Sequence, residues 1–599
     1  MQFIQKSGLV VFLLGFGIFL ASFFLGNYVI TDKTIEQKLG SGEAASSLLA
    51  ELAPILNTTY SNSFSFNADL AEAFNRVNKQ KISKYAIPEQ KVNAMVENTL
   101  KDASGQFSLE KVSGLFNPDI EHEAYQWSSF KSYGSWLDGR EYGSKEELTG
   151  WILGVRDNIV NFGIVNEKGF DRYKVKNLKY ELTKASAIGP IKENPGLFIF
   201  LTYILTIIGA TMYLLPKVKL DGPAGIKNDG IFKSAMKNRG WMGILTGTFL
   251  IIFYIILYFY PEYMTPWIIT VDPVSMFLKG SEAGRFFLYG FIYTLTILVM
   301  GVRMAIKYRH SKYQLLRTAS VMFFQTAFAF LIPEILLRLN QPYFDFKNIW
   351  PLDYDFFFDN ELNTLIANGG LGIFMLSWGI GLVVIGVPLF VYLYGKRWYC
   401  SWVCGCGGLA ETLGDPYRQL SDKSLKAWKF ERFSIHGVLV FAVVMTIGVL
   451  YTYWTGQGQL LGVSTYDIRS VYGAWIGAGF AGVVGTGFYP FMGNRVWCRF
   501  GCPLAAYLGL VQRFKSKFRI TTNGGQCISC GNCSTYCEMG IDVRWYAQRG
   551  QNIVRSSCVG CGVCSSVCPR GVLNLENRET KGRLNDPILI GNDGVGMKQ

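Results

Sequence analysis

Apolar residues gather into runs near 8–30, 196–216, 241–261, 286–302, 318–338, 370–394, 434–454 and 471–492. Each is long enough, or nearly so, to cross a hydrocarbon core as a helix of about twenty residues. The polar stretches between them alternate in charge. Segment 217–240 holds Lys217, Lys219, Lys227, Lys233, Lys237 and Arg239, and 303–317 holds Arg303, Lys307, Arg309, Lys312 and Arg317 with no acid. Segment 341–369 instead offers Asp345, Asp353, Asp355, Asp359 and Glu361 against Lys347 alone. The positive-inside bias assigns the first two loops to the cytoplasm and the third to the opposite face. The pattern therefore predicts a polytopic α-helical membrane protein of about eight spans, with both termini cytoplasmic and 31–195 extracytoplasmic. Lys6 precedes the first apolar run as in a secretory signal, but the run is long and no clear A-x-A site follows, so it reads as an uncleaved anchor.

Composition agrees with this picture. Half of the 599 residues are hydrophobic and 17% are charged, which excludes a disordered chain, a collagen and a small disulfide scaffold. The net charge of +14 is accounted for by basic cytoplasmic loops, so the partner it implies is a lipid bilayer and not a nucleic acid. Segment 31–195 is a domain's worth of mixed polar and apolar chain, with helical patterning in 43–56 and 88–102 and aromatic stretches around Trp127, Trp136 and Trp151. It contains no nucleotide loop, no C-x-x-C-H haem site and no metal-ligand cluster. His122, between Glu121 and Glu123, reads as a solvated turn.

All 13 cysteines fall between Cys400 and Cys568, a clustering that belongs to metal chemistry rather than to structural disulfides. The run Cys527-x2-Cys530-x2-Cys533-x3-Cys537 is matched by Cys558-x2-Cys561-x2-Cys564-x3-Cys568-Pro569. Three cysteines at this spacing surround one cubane, and the fourth reaches the other. The expected sets are Cys527, Cys530, Cys533 and Cys568 for one [4Fe–4S] cluster and Cys558, Cys561, Cys564 and Cys537 for the second. Gly531, Gly560 and Gly562 let the backbone wrap around them. Zinc knuckles share the C-x2-C step but do not call for two matching runs with the final x3 step. One departure stands out, because Glu538 occupies the place where proline is usual.

Five cysteines remain: Cys400, Cys404 and Cys406 in RWYCSWVCGCGG, and Cys498 and Cys502 in RVWCRFGCPLAAY. Both groups follow the end of an apolar run and share one grammar of Gly or Asn, basic residue, aromatic and Cys-x3-Cys, an internal repeat. Cysteines at i and i+4 are expected on one helical face. Cys400, Cys404, Cys498 and Cys502 together would then supply four thiolates for a third iron–sulfur or other soft-metal centre, or would act as redox-active dithiols. The alternative is two pairs of buried small side chains, and Cys406 has no assigned role.

A polytopic core with paired Cys-x3-Cys motifs ahead of a two-cluster tail resembles the NosR/NapH/CcoG group of membrane polyferredoxins over roughly residues 370–575. The tail by itself resembles the bacterial two-cluster ferredoxins, which implies a C-terminal ferredoxin-like α+β domain of two antiparallel hairpins and small helices. In that group NosR supports nitrous oxide reductase, NapH oxidises quinol in periplasmic nitrate reduction, and CcoG reduces copper in the assembly of cbb-type oxidase. This chain departs from the group in reading Cys404-Gly405-Cys406 where Cys-Pro is usual, and in lacking a recognisable flavin-attachment motif.

The expected organisation is a membrane anchor at 1–30, an extracytoplasmic domain at 31–195, a polytopic core at 196–515, a two-cluster domain at 516–575 and a polar tail at 576–599, all in a bacterial cytoplasmic (inner) membrane. No haem is expected, since only His436 lies near a span and bis-histidine ligation needs pairs. His310, beside Arg309 and Lys312, reads as a solvated loop residue. Glu334, one turn before Arg338, is either a proton acceptor for quinol or half of an i,i+4 ion pair. The favoured function is an oxidoreductase component that passes electrons between a quinol or cytoplasmic donor and a redox partner or respiratory-complex client. The alternatives are a metal (copper) reductase serving assembly and a non-catalytic redox or iron sensor.

Overall fold

The computed structural model describes residues 1–101, 106–225, 240–456, 458–460, 463–577, 589–591 and 594–596. Lys227, Lys233, Lys237 and Arg239 of the first basic loop, and most of the polar tail, lie outside the described residues. The chain is mostly helical and divides into two compact units, one of Met1–Phe19, Gly196–Tyr260 and Ile268–Gln599, the other of Leu20–Pro195 with Pro261–Trp267.

The second unit is nearly all helix, and the helical patterning expected at 43–56 and 88–102 appears as Glu43–Leu52 and Glu89–Leu100. Its core joins Tyr85, Met95, Phe107, Phe130, Ile152 and Ile159, contributed by Ser63–Tyr85, Glu89–Leu100, Glu121–Gly134 and Lys145–Asn158. Its only sheet among the described residues is three short antiparallel strands, with Asn27–Val29 between Thr59–Tyr60 and Ala187–Ile188. That central strand corrects the first expected span. The helix covers Gln2–Ser22 rather than 8–30, because Tyr28 and Ile30 are buried in this unit and not offered to lipid.

Among the described residues six helices are long and apolar enough to cross a membrane: Gln2–Ser22, Pro195–Asp221, Arg285–Lys307, Lys312–Arg338, Gly369–Tyr394 and Leu425–Thr455. Gly243–Phe259 and Pro261–Thr270 make a seventh if the pair, bent by 113° at its break, counts as one span; Pro261 at the break removes a helical donor. The expected eighth, 471–492, is helical over Thr465–Gly487, but six glycines between Gly473 and Gly487 dilute its hydropathy. Side chains such as Val384, Ile385, Val440, Val444 and Ile447 remain exposed on these helices, an apolar surface suited to lipid.

The C-terminal region of the first unit pairs Phe518–Thr522 with Leu573–Asn577 in the register Ile520↔Leu575, adds an isolated bridge between Ile520 and Ile553, and later pairs Leu589–Gly591 with Gly594–Gly596. Two antiparallel hairpins were expected within 516–575; that segment holds one ladder, whose strands flank both cysteine runs, with the helix Val543–Gln548 in the insert.

The junction between Gly369–Tyr394 and the first cysteine pair turns on Gly395, at φ 66°. A Cβ there would stand 2.6 Å from Gln512 Oε1 and 2.6 Å from a Phe518 ring carbon. Left-handed backbone alone costs an L-residue about 1–2 kcal/mol. Gly395→Ala should therefore lower the thermal midpoint of the detergent-solubilised protein, while Gly437→Ala, whose Cβ would meet nothing within 4 Å, should not. Equal melting of Gly395→Ala and wild type would contradict this packing.

Candidate metal centres

The two tail runs follow one local course. Gly531 at φ 82° and Gly562 at φ 73° cap the one-turn helices Asn532–Thr535 and Val563–Ser566. The turn brings Cys527, Cys530 and Cys533 around a small cavity that Cys568 of the far run also lines. Cys558, Cys561 and Cys564 line a second small cavity with Cys537. Each run thus lends its last cysteine to the other's cavity. Among the described residues no three cysteine sulfurs lie within 4.8 Å of one another, whereas a tetrahedral zinc with bonds of about 2.3 Å sets its sulfurs about 3.8 Å apart. The donor sets fit a polynuclear centre better than a single zinc ion. Burial pushes Cys558 up to about 11 and Cys533 up to about 12, so these thiols ionise when a metal replaces the proton.

The membrane-edge cysteines repeat a different course. Short helices Arg397–Cys400 and Val496–Phe500 carry the first cysteine of each pair, and Gly405–Thr412 and Pro503–Phe514 begin after the second. The two members of a pair were expected on one helical face. They instead straddle a break, since Cys404 and Cys502 are N-cap residues with extended backbone at ψ 134° and 111°. Pro503 enforces this at Cys502, because a proline pushes the residue before it out of the helical region. The pairs nevertheless meet. Cys400, Cys404, Cys498 and Cys502 are buried in one core, and Arg495 Nη1 donates to the Cys400 carbonyl at 3.2 Å and lies 3.7 Å from Cys498 Sγ. Cys406 adjoins them: a hydrogen bond from its thiol, outweighing burial, draws Cys404 down to about 6.

Between the two cysteine regions lies a buried ionic network. Glu538, the residue in the proline position, is 0% exposed and pairs with Arg418 at 2.8 Å and Arg495 at 3.0 Å. Glu411, in the helix after Cys404, pairs with Arg317 at 2.5 Å, Arg418 at 2.7 Å and Arg495 at 2.6 Å. Burial alone would raise Glu411; the three guanidinium groups reverse that and hold it well below the carboxylate range. Asp415 binds Arg303, Lys307 and Arg418. Arg418 Nη1 also lies 3.9 Å from Cys561 Sγ, so the arginines that share Glu411 and Glu538 touch one sulfur of each cysteine region.

The backbone is fastened as closely. Four consecutive carbonyls of the second run accept from membrane-core side chains: Cys558 from Gln512 Nε2 at 3.0 Å, Val559 from Ser401 Oγ at 2.7 Å, Gly560 from the Tyr313 hydroxyl at 2.8 Å and Cys561 from Gln314 Nε2 at 2.8 Å. Sequence reasoning missed these residues. The available signals were Glu538 in the proline position and the basic residue recurring before each cysteine pair.

The remaining candidates are placed elsewhere. His310 is exposed with its Nε2 3.1 Å from the Ser566 carbonyl, and His436 Nδ1 lies 2.6 Å from the Arg432 carbonyl. Glu121 and Glu123, flanking His122, are engaged by Tyr85 and by Lys91 and the Asn117 amide. The i,i+4 pair between Glu334 and Arg338 is not formed; Arg338 turns to the Phe277 carbonyl and buried Glu334 Oε2 has no hydrogen-bond partner.

Comparison with known proteins gives these sites a family context. A 4Fe-4S dicluster domain matches residues 526–573, and a 4Fe-4S binding domain matches twice, at 377–424 and 474–521, once over each membrane-edge repeat. The chain is 27% identical over 164 residues to YccM of Escherichia coli (strain K12), an electron transport protein by name; the match covers 26% of this chain and 45% of YccM. It is 28% identical over 165 residues to the methylamine utilization ferredoxin-type protein MauN of Paracoccus denitrificans (strain Pd 1222), covering 26% of this chain and 53% of MauN. The chain thus spans about half the length of the curated relatives it matches. No solved structure matches it.

Removing one partner of a buried ion pair costs about 3–5 kcal/mol. Glu538→Ala should therefore speed hydrogen–deuterium exchange across 516–577, while Glu97→Ala, on an exposed helix position, should not. Unchanged exchange in Glu538→Ala would show that the network does not hold the tail.

Proposed function

We propose that this chain is a membrane-bound electron-transfer protein of the bacterial cytoplasmic membrane. It works between a quinol or cytoplasmic donor and a redox partner protein, with three thiolate sets: Cys527, Cys530, Cys533 and Cys568; Cys537, Cys558, Cys561 and Cys564; and Cys400, Cys404, Cys498 and Cys502. The observation that carries this reading is the fastening of the second tail set onto the third set through Arg418, Glu411, Glu538 and Arg495. The names of YccM and MauN, an electron transport protein and a ferredoxin-type protein, support it.

Iron–sulfur clusters in these sets supply one-electron oxidation and reduction. The chain's own residues supply the rest. Burial of Cys400, Cys404, Cys498, Cys502, Cys533, Cys558 and Cys564 keeps water from those sulfurs, the amides of Ser534, Gly560 and Gly407 point at sulfur, and the core side chains fix the second tail set in place. A ferredoxin on a flexible tether would need none of the four carbonyl contacts.

The topology we propose has eight spans, counting the bent pair and Thr465–Gly487, with 31–195 outside and the tail inside. Membership of Pro261–Trp267 in the same compact unit as Leu20–Pro195 supports it, since both segments then lie on the outer side. The similarity to the NosR/NapH/CcoG group is consistent with service to a respiratory complex.

Anaerobically purified protein should carry about eight tail irons as two cubes of four, and further iron at the membrane edge. Cys404→Ala with Cys502→Ala should remove the further iron and stop turnover with the physiological donor, leaving both tail clusters intact by electron paramagnetic resonance. Stoichiometric zinc with iron and acid-labile sulfide near zero would overturn the reading, and full metal content in the double variant would make the edge cysteines packing residues. Reporter fusions after Lys192 and after Met597 should fall in opposite compartments; the same compartment for both would mean an even number of spans between them.

A further inference from the structure

We propose that Lys396 is a counter-ion shared by two redox centres, the one held by Cys400, Cys404, Cys498 and Cys502 and the one held by Cys537, Cys558, Cys561 and Cys564, and that it raises the reduction potential of both. The inference rests on the assignment of those cysteines as cluster ligands.

Lys396 is 1% exposed. Among the described residues its ammonium has no carboxylate partner; its hydrogen bond goes to the Ala505 carbonyl at 3.4 Å. A buried charge without a counter-charge costs several kcal/mol, so a lysine kept in this position points to an anion that the polypeptide itself does not supply. The surroundings deepen the imbalance. The adjoining network sets five cations, Arg303, Lys307, Arg317, Arg418 and Arg495, against three carboxylates, Glu411, Asp415 and Glu538. Positive charge is therefore in excess throughout the region between the two cysteine sets. An iron–sulfur cube held by four thiolates is anionic and gains a further negative charge on reduction.

Backbone contacts place Lys396 between the sets. Its N–H donates to Gln512 Oε1 at 2.7 Å, and Gln512 Nε2 donates onward to the Cys558 carbonyl at 3.0 Å. Its own carbonyl accepts from the Cys400 amide at 3.0 Å. The ammonium reaches the third set through the same residue: Ala505, whose carbonyl accepts from Lys396 Nζ, donates its own amide to Cys502 Sγ at 3.4 Å. The two repeats differ here in an informative way. After the shared glycine the second repeat reads Asn494-Arg495 and turns its arginine inward onto Cys498 Sγ and the acids. The first reads Lys396-Arg397, turns the lysine inward and sends Arg397 outward to Asn577 Oδ1 at 2.9 Å. Each repeat contributes one inward cation, and only the lysine lacks an acid.

The test is potentiometric electron paramagnetic resonance on the full chain, purified anaerobically. In Lys396→Met both named centres should become harder to reduce, by about tenfold in reduced-to-oxidised ratio at fixed ambient potential, or about 59 mV for a one-electron couple. The cluster of Cys527, Cys530, Cys533 and Cys568 should keep its potential, and Lys396→Arg should stay near wild type. Where Lys396→Met does not assemble, Lys396→Gln, which retains a donor for the Ala505 carbonyl, carries the same expectation. Assembled clusters with unchanged potentials, a shift confined to one centre, or an equal shift in all three would overturn the proposal. Wild-type protein without cluster signals would instead overturn the ligand assignment on which it rests.

Discussion

A carboxylate with no solvent exposure has to be met by a cation, and for Glu538 both cations come from the membrane core. Arg418 and Arg495 lie in the segments that follow the first cysteine repeat and open the second, and they share Glu411 as well. Away from the core the tail would leave Glu538 a buried carboxylate without a cation, a loss of about 3–5 kcal/mol and a large part of a small domain's stability, whereas Arg418 and Arg495 keep Glu411 as a partner within the core. This one requirement orders the rest of the unit. It determines that the tail is seated rather than tethered, that the second cysteine run faces the core, and that the two repeats stand side by side, since Arg495 of one reaches the Cys400 carbonyl of the other.

The same requirement explains the local architecture of the repeats. Each apolar helix ends in a short helix bearing a cysteine, breaks, and restarts from a second cysteine used as an N-cap. The break frees chain on both sides to face inward. Ser401, Glu411 and Gln512 all lie within a few residues of such a break or on the helix that follows it, and each contacts the tail or the network that holds it, while the Lys396 amide holds Gln512 in place. Hydrogen bonds to four successive carbonyls then fix the Cys558–Cys561 loop from outside, leaving its inner face to the sulfurs.

Much of this was legible in the sequence, and the remainder was not for identifiable reasons. The eight tail cysteines could be sorted into two crossed sets because their spacing is local, and the structure lines its two cavities with those same sets. Most apolar runs became helices near their expected limits. The first did not, because hydropathy cannot distinguish Tyr28 and Ile30 bound for a protein core from residues bound for lipid. Cys404 and Cys502 were expected inside helices because i,i+4 spacing suits a helix; the proline after Cys502 was the local signal against it. Arg303, Lys307 and Arg317 were read as loop charges, yet all three serve buried acids. Pairing across more than ninety residues leaves no trace in periodicity, and a buried basic residue looks the same in sequence as an exposed one.

The central claim is that the tail clusters and a membrane-edge centre form one fixed redox unit. Power-saturation electron paramagnetic resonance of the fully reduced wild-type protein addresses it directly, because neighbouring paramagnets shorten one another's relaxation. The account predicts three spins per chain, with the cluster of Cys537, Cys558, Cys561 and Cys564 relaxing fastest through its two neighbours. A spectrum of two mutually coupled tail clusters alone, with no third spin and no relaxation beyond what that pair produces, would contradict it.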